Sequence, residues 1–423
     1  MNKTNRRYFL GMAAGTVVPT RRAAAADKVR LGIIGLGGRG SSLLRTAAKA
    51  PQAQVTHLCE VDQARLEKAQ AAARSAGYGE VRGTSDMRRV LEDKNVDAVL
   101  IATPDHWHAP AAILACEAGK DAYVEKPISH NVREGRLLVE AARRHKRIVQ
   151  AGTQARSRPS TIKAIEIARS GRLGHILTAK AWNTQLRRNI GRKPDGPPPI
   201  GVEYDLWVGP APMIPFNQNR FHYNWHWTWH FGTGDLGNDG AHQIDIARWA
   251  LGVSAPRLVS GMGTKYFFDD DQETPDSMNL AFDYGDKAMI WEMRIWHNYP
   301  LEGIDNGVAL YGTDGYMHIG DWAGRWGYKI WDAKNQFVES DEDDKPEFHL
   351  ENFLECVVSR KPPNAEIEDG HLSAAHCHLG NICSRVGRNL AYDGKTESIT
   401  GDPEAQALTR RQYRNHWAAP KGV

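Results

Sequence analysis

The run Lys28–Gly35 (KVRLGIIG) is apolar and ends in Gly35-Leu36-Gly37-Gly38-Arg39-Gly40, a G-x-G-x-x-G. Few patterns restrict a chain as much. Glycines at this spacing, between a strand-like run and the helix pattern Ser41–Lys49, fit a strand that turns sharply into a helix. Gly35 permits the tight turn, Gly37 lets backbone approach a pyrophosphate, and Gly40 lets helix and strand pack closely. Gly38 and Arg39 complete the loop, and the helix start offers its N–H groups to phosphates. Glu60 stands twenty residues after Gly40, at the end of a second apolar run, Gln54–Glu60. A carboxylate there bonds a ribose 2′-hydroxyl and repels a 2′-phosphate. Asp62 adds a second negative charge, and Arg65 partly offsets both. This context predicts a Rossmann unit that binds NAD in preference to NADP.

The alternation continues. Arg65–Ala76 reads as a helix, Asp97–Ala102 as a buried strand, and Pro110–Glu117 as a helix with Pro near its start. Asp121–Val124 is a strand, Asn131–His145 a helix and Arg147–Gln150 a strand. That rhythm predicts a doubly wound parallel sheet. After about residue 152 it changes. Ser160–Ser170 reads as helical, Gly174–Trp182 as extended and Lys193–Ile200 as a proline-rich loop. Strand-like runs then gather at Arg257–Phe268, Ser277–Asp283, Ala288–His297 and Gly307–Ile319. Helical patterns at Glu347–Ser359 and Gly370–Leu390 close the chain. The expected fold is α/β: an N-terminal Rossmann doubly wound parallel sheet over 27–150, then a C-terminal α+β domain over 151–423. The second domain is expected to hold an open, mostly antiparallel sheet that carries the substrate site and packs copies of the chain into a homo-oligomer. The acidic run Asp341–Asp344 reads as a solvated turn rather than a metal site.

Residues 1–26 read as an address. Asn5-Arg6-Arg7-Tyr8-Phe9-Leu10 resembles a twin-arginine export signal, followed by a weakly apolar stretch and Ala23–Ala26, which suit a cleavage site. The expected location is periplasmic or secreted, with export in the folded state. These residues hold five of the 54 basic side chains and no acid. Without them 49 basic residues face 50 acidic ones, so the formal charge of +4 gives no electrostatic case for nucleic acid. No apolar run is long enough for a membrane span. Five cysteines in 423 residues make no disulfide framework. Cys59 and Cys116 read as buried thiols, and a Cys377–Cys383 pair is disfavoured by helical direction.

Thr103-Pro104-Asp105-His106-Trp107-His108 directly follows one predicted strand, and Glu125-Lys126-Pro127 the next. Together with the glycine loop, the stretch from Gly234 through His242 and Asp245 to Trp249, and the helix beginning Asp369-Gly370, these segments resemble the Gfo/Idh/MocA family of oxidoreductases. The resemblance covers nearly the whole chain after residue 27. It implies NAD(P)-linked chemistry on sugars, cyclitols or their derivatives. It places Thr103, Pro104, His108, Glu125 and Lys126 at the cofactor, makes Lys126 catalytic, and maps a catalytic histidine to His242. The family's aspartate four residues earlier is Asn238 here, a departure. It also puts Gln154 and Arg156 near the cleft between domains, although an interdomain salt bridge explains Arg156 nearly as well.

These roles suit the residue types. A neutral imidazole at His242 accepts the proton of a secondary alcohol. The Lys126 ammonium stabilises charge developing on oxygen. Asn238 orients a hydroxyl, and Asp245, one helical turn after His242, is expected to orient the imidazole. The segment Phe221–Phe231 (FHYNWHWTWHF) stands just before them. Trp225, His226 and Trp227 are candidate sugar contacts, since aromatic faces suit the C–H faces of sugar rings. An aromatic core or subunit contact is the alternative, and the spacing of His222, His226 and His230 leaves a metal open, although no metal is expected. The alternating tryptophans predict an extended segment. Three functions compete: an oxidoreductase on a sugar-like alcohol, a glycosidase or lyase that oxidises the sugar transiently with bound NAD, and a non-catalytic sugar- or nucleotide-binding regulator. The presence of Lys126 and His242 weighs against the third.

Overall fold

A computed structural model describes residues 28–343 and 348–422. The export signal expected at 1–26 lies outside the described residues. The first sheet contains β1 (Val29–Ile34), β2 (Ala53–Cys59), β3 (Arg82–Thr84), β4 (Ala98–Ile101), β5 (Asp121–Val124) and β6 (Val149–Ala151). Their order is β3-β2-β1-β4-β5-β6, all parallel. The order reverses between β1 and β4, and a crevice at such a switch point, beyond the carboxyl ends of the strands, is where ligands bind in this class of sheet. Strands β4 and β5 are buried throughout, as expected for parallel strands covered on both faces.

The second sheet has ten strands. Strand β7 (Ile176–Asn183) enters it first, while the two-residue pair β8 (Asp195–Gly196) and β9 (Phe216–Asn217) stands apart. The rest are β10 (Leu258–Thr264), β11 (Ser277–Asp283), β12 (Ala288–Arg294), β13 (Asn306–Gly312), β14 (Gly315–Trp322), β15 (Arg325–Asp332), β16 (Phe337–Asp343), β17 (Leu390–Asp393) and β18 (Ser398–Thr400). The order is β16-β15-β14-β13-β7-β12-β11-β10-β17-β18, antiparallel except where β7 meets β12. Alternation sets the faces. Met278, Leu280 and Phe282 on β11, and Met289, Trp291 and Met293 on β12, are buried, while Asn279 and Ile290 between them are exposed. Helices Pro159–Arg169, Gly240–Leu251 and Ile367–Val386 cover the buried face. The other face is open, as the sequence pattern predicts.

Three local expectations change, and one pair of elements is new. The run Gly307–Ile319 is two strands, β13 and β14, with Thr313-Asp314 turning between them. The described part of the acidic run, 341–343, is strand rather than turn: Asp341 and Glu342 lie in β16 and pair with Lys163 and Lys329. The helix holding Pro110 begins at Asp105, so Pro110 is interior. The ring costs that helix one bond to the His106 carbonyl. Side-chain bonds from His106 and Trp107 to the Trp207 carbonyl, each 2.9 Å, hold the first turn instead. Finally, β3 and the helix Met87–Glu92 complete the Rossmann sheet without a clear apolar signal in the sequence.

All five cysteines are free and buried. Burial raises their thiol pKa values, to about 12 at Cys116 and about 11 at Cys383. No helix among the described residues is long and apolar enough to cross a membrane.

Arg156 and Asp245 form the polar heart of the second domain. The guanidinium donates from Nε to Asp245 Oδ2 at 2.7 Å and from Nη2 to Asp245 Oδ1 at 2.9 Å. It also reaches Asp369 at 2.9 Å, while Ser373 Oγ donates to Asp245 at 2.6 Å. Asp245 is therefore committed to Arg156 rather than to the His242 imidazole. Removing one partner of a buried ion pair leaves the other charge stranded. Asp245→Ala is expected to destabilise the protein by about 3 kcal/mol, read as a lower urea midpoint; a midpoint equal to wild type contradicts this account.

Candidate active site

The glycine loop turns as its sequence requires. Gly35 has φ +84°, and a Cβ there would lie 2.6 Å from the Ala102 carbonyl oxygen. A Cβ on Gly40 would lie 1.8 Å from the Gly35 carbonyl oxygen, so close packing forbids any side chain. The middle of the loop is different. A Cβ on Gly38 meets nothing within 4 Å, and one on Gly37 meets only Arg65 Nη1, at 3.3 Å. The helix Gly38–Ala47 starts there without a side-chain cap. Open space before an uncapped helix start fits a pyrophosphate. Thr103 Oγ1, buried in the same wall, has no protein partner, which fits a ligand that supplies one.

Glu60 follows β2 and accepts the Leu36 N–H at 2.7 Å and the Asp62 N–H at 3.2 Å. Burial pushes its pKa up, against those bonds. Its carboxylate is thus fastened to the glycine loop, beside the space a ribose needs. Asp62 is used otherwise. It caps the helix Gln63–Ser75 by accepting from Ala64 N and Arg65 N, and it pairs with His222 at 3.1 Å.

These groups line one cleft of about 1470 Å³, measured out to its open mouth. Gly35, Gly37, Gly38, Arg39, Glu60, Thr103, Pro104, His108, Glu125, Lys126, Asn238, His242, Trp225 and His226 all lie on its wall. Gly40, Asp62, Arg156, Trp227 and Asp245 do not. Trp227 is buried in the second-domain core, and Arg156 and Asp245 are occupied with each other.

At the far end, β5 delivers Glu125 and Lys126. Glu125 is buried, which raises its pKa, but the Arg39 guanidinium at 2.6 Å and the nearby Lys126 ammonium bring it down to about 2. Lys126 Nζ donates to the Asn238 carbonyl at 2.6 Å and to Asn238 Oδ1 at 3.2 Å. The Asn238 amide in turn donates to Asp235 Oδ1 at 3.0 Å, a buried carboxylate paired with Arg187. His242 opens the helix Gly240–Leu251 over the same space. Burial and the Lys126 charge push its imidazole down to about 4, so it is neutral at ordinary pH. His108 ties the loops after β4 and β5 together, with ring nitrogens 2.8 Å from the Thr103 carbonyl and 2.6 Å from the Pro127 carbonyl.

The aromatic segment is neither extended nor one long helix. It turns, with a single 3₁₀ turn at Asn224–Trp227. Phe221, Trp225 and Phe231 join Trp207 and Phe216 in a small core of their own. The three histidines diverge: His222 goes to Asp62, His226 to the Tyr223 carbonyl at 2.5 Å, and His230 to the Pro212 carbonyl at 2.7 Å. No group of three or more His, Cys, Asp or Glu among the described residues is placed to hold a metal. A carbonyl only accepts, so His226 donates from Nδ1 and keeps the Nε2 lone pair. Burial pushes its pKa to about 3.

Some wall residues were not picked out as site residues from the sequence. Tyr223 and His222 belong to the aromatic segment and carried that signal. Ser85, Asp86 and Met87, which follow the short β3, carried none. Nor did Trp207 or Trp417, which reach the cleft only through tertiary packing.

Two family models match the chain: an oxidoreductase family NAD-binding Rossmann fold over 29–153, and an oxidoreductase family C-terminal alpha/beta domain over 178–297 and 312–419. A Glycosyl hydrolase family 109 protein of Stenotrophomonas maltophilia is 38% identical over 125 residues, 27% of this chain and 28% of that protein. Inositol 2-dehydrogenase 2 of Saccharopolyspora erythraea is 30% identical over 226 residues, 53% of this chain and 54% of that protein. The matches thus span from about a quarter to about half of these curated relatives. The crystal structure of aldose-aldose oxidoreductase from Caulobacter crescentus superposes with a TM-score of 0.67 at 19% identity, covering 86% of this chain and 99% of that one; the likeness is one of fold. With the Rossmann model on its first domain and the C-terminal model on its second, the chain belongs to the Gfo/Idh/MocA oxidoreductase family.

Proposed function

We propose that the protein is an NAD-dependent oxidoreductase acting on a secondary alcohol of a sugar, cyclitol or glycoside, with the cofactor kept bound. The observation that carries this reading is the meeting of Lys126, Asn238 and a neutral His242 in the same cleft as the glycine loop and Glu60. When bound, NAD supplies a two-electron acceptor for the C–H bond of the alcohol. The His242 imidazole takes the hydroxyl proton. Lys126 Nζ donates to the alcohol oxygen and stabilises its charge as the proton leaves. Asn238 keeps that ammonium aimed, and Asp235 keeps the Asn238 amide from turning. Tyr223, Trp225 and His226 offer apolar faces with polar tips, which suit a sugar ring. The inositol dehydrogenase relative supports a polyol substrate.

A redox-neutral variant is favoured by one further observation. Several relatives are named Glycosyl hydrolase family 109 proteins, one of them 38% identical over 125 residues. In such a cycle the sugar would be oxidised, lose its glycosidic substituent by elimination, take up water in its place and be reduced again, with no net change in the bound cofactor. The Arg6-Arg7 motif supports export to a compartment where free NAD is scarce. An enzyme there that released NADH at each turnover would stop, so a retained cofactor belongs to the same proposal.

Lys126→Ala is expected to lower kcat by at least about 10²–10³-fold, with NAD binding largely intact. Activity within a few fold of wild type removes Lys126 from the mechanism. His242 must be neutral to accept a proton, so activity should hold from neutral pH down to about 5 and fall as pH drops through about 4. In His242→Asn that acid limb should vanish along with about 10²–10⁴-fold in rate.

The Glu60 carboxylate should exclude a 2′-phosphate. Wild type should bind NAD far more tightly than NADP, and Glu60→Ala should narrow the gap; equal wild-type affinities refute the assignment.

The overall reading is tested with the mature protein as purified. It should carry NAD, and a glycoside panel followed for both NADH and released sugar should find a substrate. Released sugar without net NADH selects the redox-neutral variant. An empty site with only millimolar NAD affinity overturns the retained cofactor.

A further inference from the structure

The C-terminal tail, 409–422, leaves the second domain and runs back across the Rossmann domain. It is fastened at several points. The Arg133 N–H donates to the Thr409 carbonyl at 3.1 Å. The Tyr413 hydroxyl donates to the Glu134 carboxylate. The Arg414 guanidinium donates to the Gly209 carbonyl at 2.6 Å, to Asp205 Oδ1 at 2.6 Å and to the Asp205 carbonyl at 2.8 Å. Ala418 is 2% exposed within the Rossmann core, and Arg133 donates to the Gly422 carbonyl at 3.0 Å. A tail pinned on both sides of one residue holds that residue in place.

That residue is Trp417. It lies on the cleft wall, 5.8 Å from the Trp107 ring, with the Arg88 guanidinium 4.6 Å over its own ring. Unlike Ala418 beside it, it is 37% exposed, a large apolar surface left open at the cleft. Arg88 belongs to the helix that follows β3, and Ser85, Asp86 and Met87 of the same connection line the cleft. In the sheet order, β3 lies beyond β2, which carries Glu60, and on the opposite side from β5, which carries Lys126. A carboxylate after β2 marks the adenosine ribose. The end of the cleft near β3 is therefore the adenine end, and the end near β5 is the reacting end.

The geometry points to Trp417 as a cofactor-binding residue, through which the C-terminal tail covers the adenosine half of NAD and slows its release. This rests on the reading of the cleft as an NAD site. An indole offers a face to a purine without reading its edge, and losing such a contact weakens nucleotide binding on the order of tenfold or more. The tail then accounts for retention of a cofactor whose glycine loop is otherwise open to solvent. Nothing in it touches Lys126 or His242, so it acts on binding and not on the chemical step.

The test separates the two halves of the cofactor. Full-length wild type, Trp417→Ala and Trp417→Phe are titrated with 5′-AMP and with nicotinamide mononucleotide. NADH release is followed by fluorescence after an excess of NAD is added. Trp417→Ala should weaken 5′-AMP by tenfold or more, leave nicotinamide mononucleotide within twofold, and speed NADH release by a similar factor. Trp417→Phe should retain most of the affinity. If Trp417→Ala does not fold, Trp417→Leu, which keeps bulk without an aromatic face, carries the same comparison. Unchanged 5′-AMP affinity, or equal weakening of both probes, overturns the inference. A wild type that binds NAD but shows no effect of Trp417 refutes this inference alone; a wild type that binds neither NAD nor 5′-AMP refutes the cofactor reading and this one with it.

Discussion

A guanidinium taken out of water must find its counter-charges inside the protein, and Arg156 finds them on two helices at once. Asp245 comes from the helix Gly240–Leu251 and Asp369 from Ile367–Val386. Arg248 adds a second bond to Asp369 at 2.6 Å. Arg156 itself leaves β6, the last strand of the first sheet, by a single 3₁₀ turn. One charge cluster thus fixes the exit of the Rossmann domain against the two helices that cover the second sheet. His242 sits one turn before Asp245, so the same cluster sets where the imidazole stands over Lys126. Losing any one partner would strand a buried charge, which holds the arrangement to a single geometry.

The Rossmann half was legible because its signals are local. The glycine spacing, the carboxylate after β2 and the apolar runs of β4 and β5 are each dictated by backbone geometry or by burial on two faces. Strand β3 escaped because its three residues, Arg82, Gly83 and Thr84, are exposed or partly so at the sheet edge and carry no apolar pattern. In the second domain, Ser277–Asp283 could be read to the residue, since a strand with one open face alternates cleanly. The turn Thr313-Asp314 was legible in Gly312 and in the Asp314-Gly315 pair that flank it; the apolar residues on either side outweighed that signal in the reading as one strand.

The site divides along the same line. Lys126, His242 and Asn238 were named from the family resemblance, and the fold brings them together. Asp245 and Arg156 were named for the cleft and for His242, yet their mutual attraction takes them elsewhere, an outcome set by tertiary charge pairing that spacing along one helix cannot display. The aromatic segment deceived by its regularity. Alternating tryptophans suggest a strand, but Phe221, Trp225 and Phe231 gain more by packing on Trp207 than a lone edge strand would. What remains for ligand is the polar remainder of the segment, Tyr223 and His226 above all, with one side of Trp225. Trp417 was invisible for a related reason: an isolated tryptophan near a chain end has meaning only through the surface it lands on.

All five sulfhydryls are free and buried. Because burial holds them protonated well past neutral pH, the nucleophilic thiolate form is scarce and slow to meet an oxidant. The fold therefore asks nothing of its surroundings in the way of redox potential. It can be completed in a reducing compartment and persist in an oxidising one, without a crosslink to acquire in the first place or a reactive sulfur to lose in the second.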